Sequence, residues 1–404
     1  MATGVSAAEG RPARRPDEVR AMATACGAHA LHDGWSDLLY VLLPIWQREF
    51  ALSYAAAGLL RGCFSASMAG FQVPSSLLAE RLGVPAVLAG GTALAAIGFL
   101  VAGATTGYAT LLLALLLAGL GSSVQHPLGS LAVSTAYEGR RSRVALGTYN
   151  FAGDVGKMLL PAGAALLLTV LAWRPTLELV GAFGLAAAAA IFVALPRPAG
   201  AAQPTPAPAG EAAARAETAP PPRRSGFLLL LAIGMIDSAT RTGFLAFLPF
   251  LLAAKGAPLP TVGLALTLVF VGGAAGKLMC GWLGARLGVL ATVILTETMT
   301  ALGIVALLGL PLGGCLALLP LIGVALNGTS SVLYGTVPEL VAPERRARAF
   351  GIFYTCGIGT GALAPAGYGL VGDFVGVPAM MMLTAAVVLA TLPLAFALRA
   401  SLAE

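Results

Sequence analysis

An internal duplication constrains the fold of this 404-residue chain more than any other feature of its sequence. Residues 78–83 return as residues 283–288, and the basic run 140–143 returns as 345–348, both at an offset of 205. Glycines and prolines further along each copy repeat at an offset of 204, so the register slips by one residue. The duplication predicts two structurally similar halves.

Both copies lie in sequence that is apolar enough for a lipid bilayer. Hydrophobic residues make up 58% of the chain and charged residues only 10%, whereas soluble domains carry about 25% charged residues. The chain is therefore predicted to be an all-α membrane protein in two pseudo-symmetric six-helix bundles. Twelve apolar stretches are predicted to span the bilayer: 26–47, 54–79, 84–106, 108–136, 143–170, 176–195, 226–253, 259–282, 288–309, 312–338, 346–372 and 377–398.

The basic residues predict the orientation of these spans. Arginines cluster before the first span, after the second and fourth, around the middle of the chain, and at the equivalent places of the second half. Because cytoplasmic loops are rich in Lys and Arg, both termini are expected in the cytoplasm. This pattern accounts for the net charge of +6 and does not indicate a nucleic-acid partner.

The same pattern divides the chain into four segments. Residues 1–20 lack an apolar core and are expected to form a cytoplasmic tail and not a signal peptide. Residues 196–225 are rich in Pro, Ala and charge and are expected to form a flexible cytoplasmic linker. The linker separates a bundle over residues 21–195 from a second bundle over 226–404.

The sequence contains no set of residues typical of an enzyme or a cofactor protein. The five cysteines are scattered through apolar stretches without ligand spacing, so no metal site and no disulfide framework are predicted. No nucleophile set or phosphate loop occurs at usable spacing. The chain is therefore expected to be neither an enzyme nor dependent on a cofactor.

A polar stripe on the first span is the strongest candidate site. His29, Asp33, Asp37 and Tyr40 are spaced four, four and three apart, so they share one face of a helix. Two carboxylates one turn apart cannot both ionise easily in a low dielectric, so one is expected to carry a proton. This predicts a proton-coupling site, although Asp33 and Asp37 would also suit bonds to neighbouring hydroxyls or a broken helix.

Two further spans carry charged residues at helical spacing. Asn150, Asp154 and Lys157 share a face of the fifth span, where Asp154 and Lys157 either neutralise each other or face a cavity. Asp237 and Arg241 form an i, i+4 pair on the seventh span with the same two interpretations. All five are candidate solute or proton sites.

Isolated charges in apolar spans extend the candidate site. Arg61, Lys277 and Glu297 have no partner within a helical turn. Arg61 could reach the outer surface and Lys277 the cytoplasm, because long basic side chains extend toward water. If at least two of the cations at 61, 157, 241 and 277 meet in the middle of the membrane, the cavity is expected to be electropositive and to prefer an anionic solute.

The fourth span and its repeat carry a further polar group of residues. His126 precedes Pro127, and a proline inside a helix frees a carbonyl and localises a kink or gate. His126 would either titrate or bind that freed group. The repeat partner of this span carries Asn327 and Tyr334, which are candidate solute contacts.

These motifs resemble a known family. Residues 78–83 resemble the loop signature of the major facilitator superfamily, which implies that Glu80, Arg81 and Gly83 lock the cytoplasmic helix ends together. Arg286 belongs to the second copy, in which Ala285 replaces the acid. Residues 121–127 and 150–156, with the pairing of His29 and Asp33, look like the fosmidomycin-resistance type of exporter.

The resemblance implies a function. Such exporters are implied to expel drugs or metabolites in exchange for protons. The protein is expected in the bacterial inner membrane, and Asp33, assisted by Asp37, His29, His126 or Asp154, is expected to bind the coupled proton. The expected partners are a small, anionic solute, protons and the lipid bilayer, and the protein is expected to be a monomer. Leu128 stands where the family carries an acidic residue. The alternative is an uptake carrier or exchanger for a small organic anion such as a carboxylate.

Overall fold

The computed structural model describes residues 16–137, 139–196, 224–342 and 345–402. Residues 1–15 of the predicted tail (1–20) and residues 197–223 of the predicted linker (196–225) lie outside these ranges. Residues 16–20 and 224–225 are helical. Thirteen helices form almost all of the described chain: α1 (Pro16–Glu49), α2 (Tyr54–Gly70), α3 (Gln72–Leu82), α4 (Val84–Gly103), α5 (Tyr108–Ser122), α6 (Gln125–Ala136), α7 (Gly139–Leu167), α8 (Trp173–Ala194), α9 (Arg224–Ala254), α10 (Leu259–Gly309), α11 (Leu312–Leu340), α12 (Arg346–Leu389) and α13 (Thr391–Arg399).

The fold is helical throughout the described ranges, as the sequence predicts. Seven of its helical stretches are long and apolar enough to cross a membrane by length and composition. Helix α1 has 34 residues and a length of roughly 50 Å, which also suits a bilayer. It is missing from the seven because its polar stripe lowers its hydropathy, and the charges of α7 have the same effect.

The two longest helices each turn back on themselves at a glycine. Gly288 in α10 has φ 81° and Gly376 in α12 has φ 79°, and both conformations are non-helical. Both arms of α10 pack on the same part of α11, because Gly276 approaches Val324 and Gly303 approaches Ile322. The chain therefore reverses direction at Gly288.

The duplication is visible in the backbone. Gly83 ends α3 at φ 84°, and its copy Gly288 has φ 81°. Ala51 and Gly256, also 205 residues apart, are both at positive φ as well. Because left-handed conformations favour glycine, the glycines of the duplicated loop are required by the turn that they make.

Helices α1 and α7 pack closely through glycine. A Cβ at Gly156 would lie 1.9 Å from the backbone oxygen of Ala30, a distance that requires the two helices to separate. A Cβ at Gly147, one turn from the start of the apolar part of α7, would meet nothing within 4 Å. Gly156 therefore sets the distance between the two helices that carry most of the polar residues of the first half.

We expect Gly156→Ala to lower the stability of the protein. Overpacking against a fixed backbone costs ~1–3 kcal/mol, whereas alanine in an unobstructed helix position gains ~0.5–1 kcal/mol over glycine. Thermal unfolding of purified protein in detergent measures the difference. Gly147→Ala is the matched control and should leave the midpoint unchanged or raise it; equal midpoints for the two variants would contradict the close packing.

The two halves touch mainly at one end of the molecule. We call this the distal end and define it by residues 50–53 and 255–258; the opposite, terminal end holds Pro16 and Leu402. At the distal end Asp373 accepts hydrogen bonds from the backbone N–H groups of Tyr54 (2.6 Å) and Ala55 (3.1 Å) at the start of α2. The ring of Tyr54 also contacts Phe247 and Phe250 of α9.

Helices α2 and α12 continue this contact toward the middle of the molecule. Cβ atoms at Gly58 and Gly62 would lie 2.2 and 2.3 Å from the backbone oxygens of Pro365 and Ala362. The glycines therefore allow close approach of the two backbones. Helices α7 and α10 make the second contact, where the Thr267 hydroxyl donates to the Met158 carbonyl at 2.8 Å.

Candidate functional site

A cavity of about 340 Å³ lies between the two halves. Helices α1, α2 and α7 contribute to it from the first half, and α9, α10 and α11 from the second half. Its lining combines charged, polar and apolar side chains: Asp37, Tyr40, Arg61, Asp154, Lys157, Arg241, Thr242, Leu245, Phe270, Gly273, Ala274, Lys277, Asn327, Ser330 and Tyr334.

Asp33 lies behind this lining in contact with three basic groups. Its Oδ2 is 3.2 Å from the Lys157 ammonium and 3.4 Å from His29 Nε2. Its Oδ1 is 3.7 Å from His126 Nε2. The carboxylate is buried while its partners come from α1, α6 and α7. The structure therefore brings together His29, Asp33 and His126 as the sequence predicts.

The backbone determines how His29 faces this carboxylate. His29 Nδ1 lies 2.8 Å from the Tyr149 carbonyl, which can only accept, so Nδ1 carries a proton. Nε2 then faces Asp33 as an acceptor when the ring is neutral and as a donor when the ring is charged. A Cβ at Gly153 would lie 2.6 Å from Asp33 Oδ2, so this glycine leaves the space that the carboxylate occupies.

His29, Asp33 and His126 also offer three metal-ligating atoms within 4.8 Å of one another. Two imidazoles and a carboxylate suit a transition metal, and the Nδ1–H of His29 bound to a carbonyl is typical of a ligand histidine. The Lys157 ammonium already neutralises Asp33, however, and a metal ion would have to displace it. The arrangement therefore suits proton binding better than metal binding.

Asp37 pairs with Arg61 one helical turn farther along α1. Arg61 Nη2 lies 3.7 Å from Asp37 Oδ1, and the guanidinium lies 4.8 Å from the centre of the Tyr40 ring. Arg61 also donates to the Ser65 hydroxyl. Only 7% of Arg61 is exposed, so the alternative that it reaches the outer surface is wrong. The carboxylate and the aromatic face hold it inward instead.

Asp154 joins the two halves. Its two carboxylate oxygens accept hydrogen bonds from Lys277 Nζ at 2.6 and 2.8 Å. Lys277 therefore does not extend to the cytoplasm, because a carboxylate on the opposite half binds it. Lys157 lies 4.0 Å from Asp154, so neutralisation within α7 is the weaker of the two interactions.

Arg241 and Asp237 form the pair predicted within α9, at 3.6 Å. Asp237 is buried and Arg241 reaches the cavity. Asn327 and Tyr334 of α11 complete this side of the lining. The Tyr334 ring stacks on Tyr354 at 4.6 Å, which fixes its orientation.

All four predicted cations thus line one cavity, but they do not outnumber the carboxylates that pair with them. Each lies within 4.0 Å of a carboxylate: Arg61 of Asp37, Lys157 of Asp33, Lys277 of Asp154 and Arg241 of Asp237. The expectation of an electropositive cavity is therefore corrected to one of paired charges. An anion can bind these cations only in competition with the carboxylates.

Several predicted residues lie outside the site. Asn150 is exposed and is not part of the cavity lining, although it lies one helical turn before Asp154 on α7. Glu80, Arg81, Gly83 and Arg286 are exposed at the terminal end, and within the described ranges these side chains make no ion pair.

Sequence reasoning also missed part of the lining. Phe270, Gly273 and Ala274 precede Lys277 at spacings of seven, four and three, so they share its helix face. Leu245 follows Arg241 by four residues on the same helix face, and Thr242 is adjacent to Arg241 in sequence. The stripe that ends at Lys277 would have identified the α10 residues if Lys277 had been placed in the cavity.

The sequence matches one known protein family over almost its whole length. Two overlapping segments, residues 26–235 and 227–402, match the Major Facilitator Superfamily. The chain belongs to the Major Facilitator Superfamily. Members of this superfamily are membrane transporters, and the resemblance predicted from the loop motif is confirmed.

The most informative relatives of this superfamily member are transport and resistance proteins. The chain is 27% identical over 141 residues to the fosmidomycin resistance protein of Escherichia coli (strain K12). The alignment covers 35% of this chain and 34% of that protein, which is about a third of the length of each.

Solved structures show the same fold over nearly the whole chain. A bacterial homologue of the human lysosomal transporter Spinster, inward-facing and occupied, superimposes with a TM-score of 0.77 at 16% identity, and the match covers 96% of this chain and 98% of that one. A mutant of the nucleoside transporter NupG superimposes with a TM-score of 0.75 at 14% identity, covering 95% and 99%.

Proposed function

We propose that this superfamily member is a proton-coupled secondary transporter for a small anionic or amphipathic solute. It would cross the bacterial cytoplasmic membrane with twelve helices and act as a monomer with both termini in the cytoplasm. The bundles over residues 21–195 and 226–404, joined by the linker 196–225, would rock against each other. The observation that carries the proposal is that four cations, each paired with a carboxylate, line one cavity between the halves.

The cavity suits an anionic group because its cations remain within reach of a solute. The side chains of Arg241, Lys157 and Lys277 line the cavity and are 24%, 29% and 40% exposed. Arginine offers two parallel donors to a carboxylate or phosphonate, and lysine offers a mobile point charge. The rings of Tyr40, Phe270 and Tyr334 would contact the apolar part of an amphipathic solute.

The contacts between the halves support alternating access. The hydrogen bonds of Asp373 and the close crossing of α2 with α12 hold the distal end together. With the termini in the cytoplasm, this closed end would face outward. A carrier then needs to break these contacts to open outward, and solute or proton binding at the cavity would bias that equilibrium.

Proton coupling would use the same pairs. A carboxylate in low dielectric is tolerated when it is paired or neutral, so Asp33 would bind a proton when Lys157 leaves it. His29 and His126, which lie 3.4 and 3.7 Å from Asp33, would share that proton. The similarity to the fosmidomycin resistance protein favours export of a drug or metabolite in exchange for protons.

The ion pairs themselves favour a second candidate, uptake of a small organic anion together with a proton. An anion that binds Lys157 displaces Asp33, which then gains proton affinity, so the two ligands strengthen each other's binding. Such coupling moves anion and proton in the same direction. Exchange requires instead that the two compete.

Transport in two membrane orientations separates these candidates. The exporter should accumulate a phosphonate such as fosmidomycin in everted vesicles when their lumen is acidified. The uptake carrier should accumulate a small carboxylate in whole cells when the external pH is lowered. Solute movement that does not depend on the proton gradient in either preparation would contradict proton coupling.

We expect Arg241→Ala to weaken the binding of anionic solutes by at least tenfold. The guanidinium is the cavity donor best suited to a carboxylate or phosphonate, and hydrogen bonds to charged groups contribute ~1.5–3 kcal/mol. Ligand-dependent thermal shift on purified protein measures the loss, with a neutral analogue of the same solute for comparison. An equal loss for the neutral analogue would indicate that Arg241 only supports Asp237.

A further inference from the structure

Glu297 is a buried acid that the proposed transport site does not use. It lies on the second arm of α10, is 1% exposed and does not line the cavity. Its Oε1 has no hydrogen-bond partner, and no basic group of the described chain lies within ion-pair distance of its carboxyl group. The four cations of the site each bind another carboxylate.

The surroundings of Glu297 favour its neutral form. An isolated carboxylate away from water costs far more than a neutral carboxylic acid, so such groups hold a proton. Around it lie hydroxyl groups: the Thr329 hydroxyl faces the carboxyl group and itself contacts Thr296 Oγ1 at 2.7 Å. Such hydroxyl groups can accept a hydrogen bond from the O–H of a carboxylic acid, but they cannot neutralise the negative charge of a carboxylate.

The charged groups that act on Glu297 both come from α9. They are Asp237 and Arg241, which lie 3.6 Å apart. The guanidinium of Arg241 pairs with Asp237, so Glu297 is left without an ion-pair partner of its own in the described chain. Because Arg241 lines the cavity and Asp237 does not, movement of Arg241 toward a solute would take its positive charge away from both acids. Two acids in that position bind a proton jointly.

The duplicated halves differ at this position. Residue 297 minus 205 is residue 92, and Thr92 Oγ1 lies 2.9 Å from His32 Nε2. Both Thr92 and His32 are buried. The first half therefore has a buried hydroxyl, bonded to a buried histidine, at the place where the second half has the buried acid.

We propose that Glu297 is a second proton-binding site of this carrier. In the conformation described it is a neutral carboxylic acid, and it shares its proton with Asp237 when Arg241 turns to an anion. The neutral state of Glu297 follows from its burial and its lack of an ion-pair partner. The sharing of its proton with Asp237 rests on the proposed function, because it needs an anion in the cavity.

Infrared difference spectroscopy of the purified protein tests whether Glu297 is protonated and requires no transport measurement. Wild-type protein at neutral pH should show the carbonyl band of a protonated carboxylic acid, and Glu297→Gln should remove it. Glu178→Gln is the matched control, because Glu178 is exposed on α8 and should leave the band unchanged. Persistence of the full band in Glu297→Gln would overturn the proposal, whatever the protein transports.

Two additional measurements keep the proposal testable if the glutamine variant does not fold. Thr329→Val removes the hydroxyl that faces the acid and should shift the same band, and an unshifted band would count against the assignment. In proteoliposomes, Glu297→Gln should reduce the number of protons moved per solute, whereas Glu178→Gln should not. A normal ratio in Glu297→Gln together with loss of the band would refute only the link to Arg241.

Discussion

Asp33→Asn is expected to abolish proton-driven transport while solute exchange across the membrane continues. Asparagine keeps the shape of the side chain but cannot bind a proton reversibly, and it leaves Lys157 without its carboxylate at 3.2 Å. The coupling of the proton gradient to solute movement is then lost. The measurement is solute accumulation in proteoliposomes with an imposed pH gradient, compared with exchange of labelled for unlabelled solute.

Asp17→Asn is the matched control for this experiment. Asp17 lies on the same helix but is exposed at the terminal end, where it pairs with Arg20 at 3.6 Å. Exposed pairs contribute ~0–1 kcal/mol, so Asp17→Asn should transport as the wild type does. Unchanged proton dependence in Asp33→Asn would show that Asp33 is not the coupling group.

Loss of the pair between Asp154 and Lys277 is expected to reduce transport by at least tenfold. Lys277→Ala leaves the buried Asp154 carboxylate with only Lys157 at 4.0 Å, and removal of one partner from a buried pair is strongly unfavourable. The same change removes a cation that is available to the solute. The double variant Asp154→Lys with Lys277→Asp restores a pair between the halves and should recover part of the activity.

Arg174 and Glu49 provide the control pair for the charge exchange. They lie 2.8 Å apart but are more than a third exposed at the distal end. Arg174→Ala should therefore change the initial transport rate less than twofold. Equal damage from Arg174→Ala and Lys277→Ala would indicate a general effect of ion pairs on folding and not a special role of the cavity.

The sequence predicts the helical fold and much of the site because the two depend on local patterns. Asp33 and Asp37 share the inward face of α1 because they are four residues apart, about one helical turn. The repeat of the loop at Gly83 and Gly288 appears in their matching φ angles. Helical periodicity and glycine conformation act over a few residues, so one sequence suffices to read them.

The pairing of charges could not be predicted in the same way. Asp154 and Lys157 are three residues apart and suggest a pair within the helix, yet Asp154 binds Lys277, 123 residues away. Arg61 of α2 points inward because its guanidinium contacts Asp37 and Tyr40 of α1. Such partners depend on how helices cross, and glycines at the crossing points decide this more than the charged residues do.

The most direct test of the account is the number of protons exchanged when an anion binds. Calorimetric titration of purified protein in buffers with different ionisation enthalpies gives this number. If anion and proton share the same ion pairs, wild-type protein should exchange protons on binding between about pH 5 and pH 8, and Asp33→Asn should exchange fewer. Anion binding to the wild type without proton exchange at any pH in this range would contradict the account.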